Sequence, residues 1–135
     1  GLIHLEEKGT LQKYLYIAVG GALGALARYG VGVAVTDRLG TKFPYGTFVI
    51  NMTACVIIGF SLTFLSRRAG LNAAWRYLIP VGFVGAYSTF STYEWETLAE
   101  LRSGAFSLAA VYAFSSLILG LVAVWCGILL AETLG

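Results

Sequence analysis

Four long stretches almost free of charge set the limits on what this chain can fold into. Residues 45–65, 77–93 and 104–131 carry no Asp, Glu, Lys or Arg, and residues 14–35 carry one, Arg28. A helix needs about 20 apolar residues to cross the hydrocarbon core of a bilayer. The expectation is therefore a single-domain, all-α membrane protein with four spans, at 14–35, 45–65, 77–93 and 104–131. The third stretch is short for a span. It is expected to be partly irregular and shielded by protein, because non-helical backbone at membrane depth is tolerated only there or beside water. Composition agrees: 58% hydrophobic against 12% charged residues leaves too little polar surface for a soluble domain of 135 residues.

The polar remainder narrows the function. Residues 1–13, GLIHLEEKGTLQK, read as a short amphipathic lead-in rather than a signal peptide, since no basic start precedes an apolar run and cleavage site. His4 in that lead-in is incidental. Cys55 and Cys126 fall inside spans and read as buried structural thiols, not as a disulfide framework. A net charge of +2 gives no footprint for nucleic acid. Lys8, Lys13, Arg67, Arg68 and Arg76 lie on one side of the spans, and Arg38, Lys42 and Arg102 on the other. That asymmetry is weak, so it permits insertion in both orientations.

Individual positions are more telling. Gly20, Gly24, Arg28 and Gly32 step by four along one helical face, where small residues let a second backbone approach. Arg28 lies well inside its span. A charge at the centre costs at least about 2.5–3.5 kcal/mol, so it is expected to face carbonyls, water or an anion. Thr47 and Asn51 share a face of the second span, and a buried Asn51 amide requires partners. Tyr112, Ser116 and Gly120 form a further step-of-four row in the fourth span, with Ser115 beside it. Trp75 and Tyr77 fit an interfacial belt, with Arg67 and Arg68 expected at lipid headgroups.

The third span holds the densest polar chemistry, GFVGAYSTFSTYEWE at 82–96. Gly82 and Gly85 follow Pro80 and loosen the helix. Ser88, Thr89, Ser91 and Thr92 can satisfy the backbone groups that a break would free. Broken helices in membranes form ion sites from unwound carbonyls and freed amides. Phe90 and Tyr93, three apart, place two rings on one face, and aromatic edges are electropositive. Glu94, Glu96 and Glu100 are expected near a mouth as solvated interfacial charges.

Three segments in order, GALGALARY (21–29), GTFVINMTAC (46–55) and GFVGAYSTFSTYEWE (82–96), make the chain resemble the Fluc, or CrcB, family of fluoride channels over nearly its whole length. The resemblance implies an antiparallel, dual-topology homodimer in the cell inner membrane, with a broken third helix. Two pores along the dimer interface would export fluoride passively. It implies that Asn51, Phe90, Ser91, Thr92, Tyr93, Tyr112 and Ser116 line the fluoride pore and that Arg28 shapes its vestibule. It also implies a structural Na⁺ at the dimer centre, held by the backbone carbonyls of Gly85 and Ser88. Tyr93 stands where the family usually has phenylalanine, and Ala86 and Ser88 stand where it has glycine and threonine.

Two other classes fit the span count. A small proton-coupled dual-topology transporter needs a membrane-embedded carboxylate, and none lies in the four runs. A non-transporting scaffold accounts for the glycine rows but leaves Arg28, Asn51 and the hydroxyls without a role. No paired carboxylates or metal-ligand cluster in a span suggest an enzyme.

Overall fold

The computed structural model describes residues 1–135 and consists of helices joined by short turns. Helix α1 runs Leu2–Leu39, α2 Tyr45–Ser66, and α3 covers 74–87. Helix α4 runs Phe90–Arg102 and α5 Phe106–Leu134. The spans expected at 14–35 and 45–65 lie within α1 and α2, and that at 104–131 lies within α5 except for its first two residues; all three helices are long and apolar enough to cross a membrane. The lead-in is not separate: residues 2–13 continue α1 as exposed helix. At 38 residues α1 is about 57 Å long, far more than a hydrocarbon core of about 30 Å.

The expected third run, 77–93, is divided between α3 and α4. Within α3, Tyr77–Val84 winds as a π-helix around Pro80. Proline has no N–H and its ring presses on the carbonyl one turn back, so the wider winding relieves what an α-turn would strain. After Tyr87 the chain extends through Ser88 (ψ 156°) and Thr89 (φ −146°, ψ 116°), then re-enters helix at Phe90. Helix α4 continues nine residues past the expected end of the run, so Glu94, Glu96 and Glu100 belong to the same helix as Phe90 and Tyr93.

Two close helix pairs hold the bundle. A Cβ at Gly20 or Gly24 would collide with the carbonyl of Leu78 or Phe83, so α1 lies backbone to backbone on α3. A Cβ at Gly59 or Gly127 would likewise strike Val124 or Val56, which locks α2 to α5. Such approaches substitute for the hydrophobic drive that lipid removes. Gly32, in the same row as Gly20 and Gly24, makes only ordinary contact with Ile50. A small core of Ile50, Ala54, Val84 and Tyr87 joins α2 to α3. Only 18 of 135 residues are buried, so most apolar side chains face outward, toward lipid or another chain. Cys126 is among the exposed residues and Cys55 is half-buried; both are free thiols, so the expected burial fails at Cys126.

Candidate functional site

The break between α3 and α4 organises the site. Asn51 on α2 grips it with both ends of its amide. Its Nδ2 donates to the Thr89 carbonyl at 3.0 Å, and its Oδ1 accepts from the Thr89 N–H at 2.9 Å. Thr89 makes no backbone–backbone bond, so Asn51 replaces the helical partners that the extended residues give up. The Thr89 hydroxyl adds to the repair. Ser88 Oγ donates to Val84 O at 2.9 Å, and Thr89 Oγ1 caps α4 by accepting from Thr92 N–H. Thr89 Oγ1 also donates to Thr92 Oγ1 at 3.1 Å. The expectation that hydroxyls satisfy backbone groups freed by the break is met at Thr89 alone: Ser88 Oγ donates to a carbonyl that Ser88 N–H already engages, Thr92 Oγ1 meets only Thr89 Oγ1, and Ser91 is exposed.

The same rearrangement bares carbonyls. Thr89 N–H, the helical donor for Gly85 O, is turned to Asn51, and Thr92 N–H, the donor for Ser88 O, is turned to Thr89 Oγ1. Ser88 O accepts no backbone bond. An oxygen-only set of bared carbonyls suits a hard cation.

Beside the break lies a run of rings. Phe90 and Tyr93 have centroids 5.9 Å apart, Tyr93 and Tyr112 5.1 Å, and Tyr112 and Phe43 5.4 Å at 85°. Phe90 projects from the bundle and is 73% exposed, whereas Tyr112 is fully buried. Tyr93 is anchored: its hydroxyl donates to Ala113 O on α5 at 2.7 Å, so that hydroxyl is engaged within the protein. Phe43, in the loop before α2, received no role from the sequence. Only its aromatic character and its place beside Pro44 could have marked it.

A polar pocket adjoins the rings. Thr47 Oγ1 donates to Glu96 Oε1, joining α2 to α4. Glu96 is therefore not the solvated charge that the sequence suggested. The Glu100 Oε2, Tyr112 hydroxyl and Ser116 Oγ are buried without a protein partner. Buried polar atoms normally find partners, so these three favour water or an ion alongside. A cavity of about 370 Å³ opens here between Phe43, Thr47, Glu96 and Glu100. No acidic residue lies in the charge-free runs, but α4 carries Glu94, Glu96 and Glu100 on the same helix as Phe90 and Tyr93.

The other expected residues separate into two places. Arg28 lines a second cavity, of about 430 Å³, with Thr47, Thr89 and Thr92 and with Asp37 at its edge. It is half-buried and lines a groove open at the surface of the chain. Ser91 lies elsewhere: it is exposed and lines a groove with Glu94, Trp95 and Leu98 on the opposite side of α4. Arg68 does not simply point outward. It lies 4.3 Å over the Phe64 ring and donates to Leu134 O near the end of α5. Ring contacts join Phe90, Tyr93 and Tyr112, and Thr89 joins Asn51 and Thr92 at the break, while Ser116 lies one helical turn beyond Tyr112 on α5 and Ser91 stands apart in the single chain.

Comparison with known proteins follows this geometry. Residues 15–128 match the model of a family described as CrcB-like protein, Camphor Resistance (CrcB). The chain is similar to the fluoride-specific ion channel FluC of Acidobacterium capsulatum, 56% identical over 120 residues, which is 89% of this chain and 96% of that protein. It is similar to the protein of the same name from Solibacter usitatus, 48% identical over 89% of this chain and 98% of the relative. A third, from Thermus thermophilus, is 42% identical over 87% of this chain and 93% of its own.

Proposed function

The chain belongs to the CrcB-like family, and from that membership we propose that it is a passive, fluoride-selective channel of the cell's inner membrane. It lets fluoride that has accumulated as HF leave the cell. The observation that carries this reading is the clustering at the helix break: an Asn51 amide, ring edges at Phe90 and Tyr93, and unpartnered hydroxyls at Tyr112 and Ser116. Fluoride is small and tightly hydrated, so it is released from water only by close, strong donors. Asn51 spends one N–H on Thr89 and keeps a second for the ion. Ring edges and hydroxyls add attraction without a full charge that would trap the anion, and several weak sites in series favour conduction.

The reading requires two copies. Phe90 projects from the chain, and Arg28, Thr89 and Thr92 line an open groove. In an antiparallel homodimer, with α3 and α4 as one interrupted crossing, a second copy would cover those surfaces and Ser91 as well. The bared carbonyls of Gly85 and Ser88 suit a structural Na⁺ between two such breaks. Bound there, Na⁺ would supply fixed positive charge that draws the two extended segments together.

The test is fluoride efflux from liposomes holding the parent protein or Phe90→Ile. The variant is expected to remain dimeric by gel filtration and to lose nearly all flux. Normal flux through a dimeric Phe90→Ile would remove Phe90 from the pathway.

A further inference from the structure

The ring run does not stop at the residues already assigned to the pathway. Phe43 lies in a loop, yet its ring is half-buried and makes three aromatic contacts: Tyr112 at 5.4 Å, Phe48 at 5.9 Å and Tyr45 at 5.0 Å. The loop is set by Pro44, by a bond from Tyr45 N–H to Phe43 O at 2.7 Å, and by one from Phe48 N–H to Pro44 O at 3.1 Å. Phe43 is thus held in position, not free in solvent.

Its placement continues a series. From Phe90 through Tyr93 and Tyr112 to Phe43, successive centroids are 5.9, 5.1 and 5.4 Å apart. The last ring borders the cavity that also holds Glu96 and Glu100. No Lys or Arg lines that cavity. An anion crossing it meets two carboxyl groups and must draw its attraction from hydroxyls, backbone N–H groups and ring edges.

We propose that Phe43 is a further aromatic station of the ion path, a ring beside the cavity that offsets Glu96 and Glu100. The proposal rests on the fluoride-channel reading and extends it from the helices to the loop before α2. Its content is that the ring itself matters, not merely apolar bulk at position 43.

Efflux from liposomes would be compared for the parent, Phe43→Leu and Phe43→Tyr, each confirmed as dimeric. Phe43→Leu keeps the bulk and removes the ring, and fluoride efflux is expected to slow about fivefold. Phe43→Tyr restores a ring and is expected to restore efflux to within about twofold of the parent. Should Phe43→Leu fail to assemble, Phe43→Met takes its place under the same reading. A ring-free variant that conducts like the parent overturns the assignment alone, as does a Tyr variant as slow as the Leu one. A parent that passes no fluoride overturns the channel reading and this assignment with it.

Discussion

Replacing Asn51 by alanine should damage the protein in two separable ways. The amide is the partner of both Thr89 backbone groups, at 2.9 and 3.0 Å, and Thr89 is buried. Neither group has a backbone bond to fall back on. A buried polar group left without its partner costs about 1–3 kcal/mol, so losing both should cost about 2–6 kcal/mol. The low end applies if Ser88 or Thr92 turns to compensate. Unfolding of purified protein by denaturant in detergent measures that cost. Ser66→Ala is the control, since the Ser66 hydroxyl is exposed and bonds only to Thr63 O in its own helix. Fluoride efflux measures the second effect and should be abolished, because the break that positions Phe90 and the bared carbonyls loses its clamp. A stability loss below about 0.5 kcal/mol, within the range of ordinary surface changes, would refute the clamp and leave Asn51 only as an ion ligand.

Other outcomes follow from the packing. Gly127→Ala should prevent stable assembly, seen as loss of a monodisperse peak on gel filtration, since its Cβ would enter the Val56 carbonyl; Gly30→Ala, with open space around it, should leave the peak unchanged. Tyr93→Phe should retain fluoride efflux while lowering stability by about 0.5–1.5 kcal/mol, because it keeps the ring and removes only the bond to Ala113 O. Loss of efflux in a stable Tyr93→Phe would instead make that hydroxyl an ion ligand.

Much of this structure was legible in local sequence, because local signals fix most of it. Runs almost free of charge located α1, α2 and α5. The step-of-four glycines at 20 and 24 marked a backbone approach that the structure contains. The hydroxyl cluster marked the break, where Thr89 caps α4, whereas Pro80 lies in the π-wound turn ahead of it and Gly82 packs against the Ile17 carbonyl of α1.

What escaped was tertiary or depended on a helix end that charge patterns conceal. Glu94, Glu96 and Glu100 ended the apolar run at 93, although α4 continues to Arg102 with Trp95, Leu98 and Leu101 exposed along it. The Thr47–Glu96 bond joins residues 49 apart, so no spacing rule reveals it. Asn51 drew attention as a donor to an ion. That its first partner is the Thr89 backbone depends on how α2 lies against the break. Phe43 sits in a polar loop, where an aromatic residue carries no periodicity to read.

The most direct test of the central claim is ion efflux from liposomes containing the purified protein, loaded with potassium fluoride or potassium chloride, with and without valinomycin. A passive fluoride-selective channel predicts rapid fluoride efflux only after valinomycin releases the K⁺, with little chloride efflux under the same conditions. Fluoride efflux that needs no valinomycin, or chloride efflux as fast as fluoride, would contradict it.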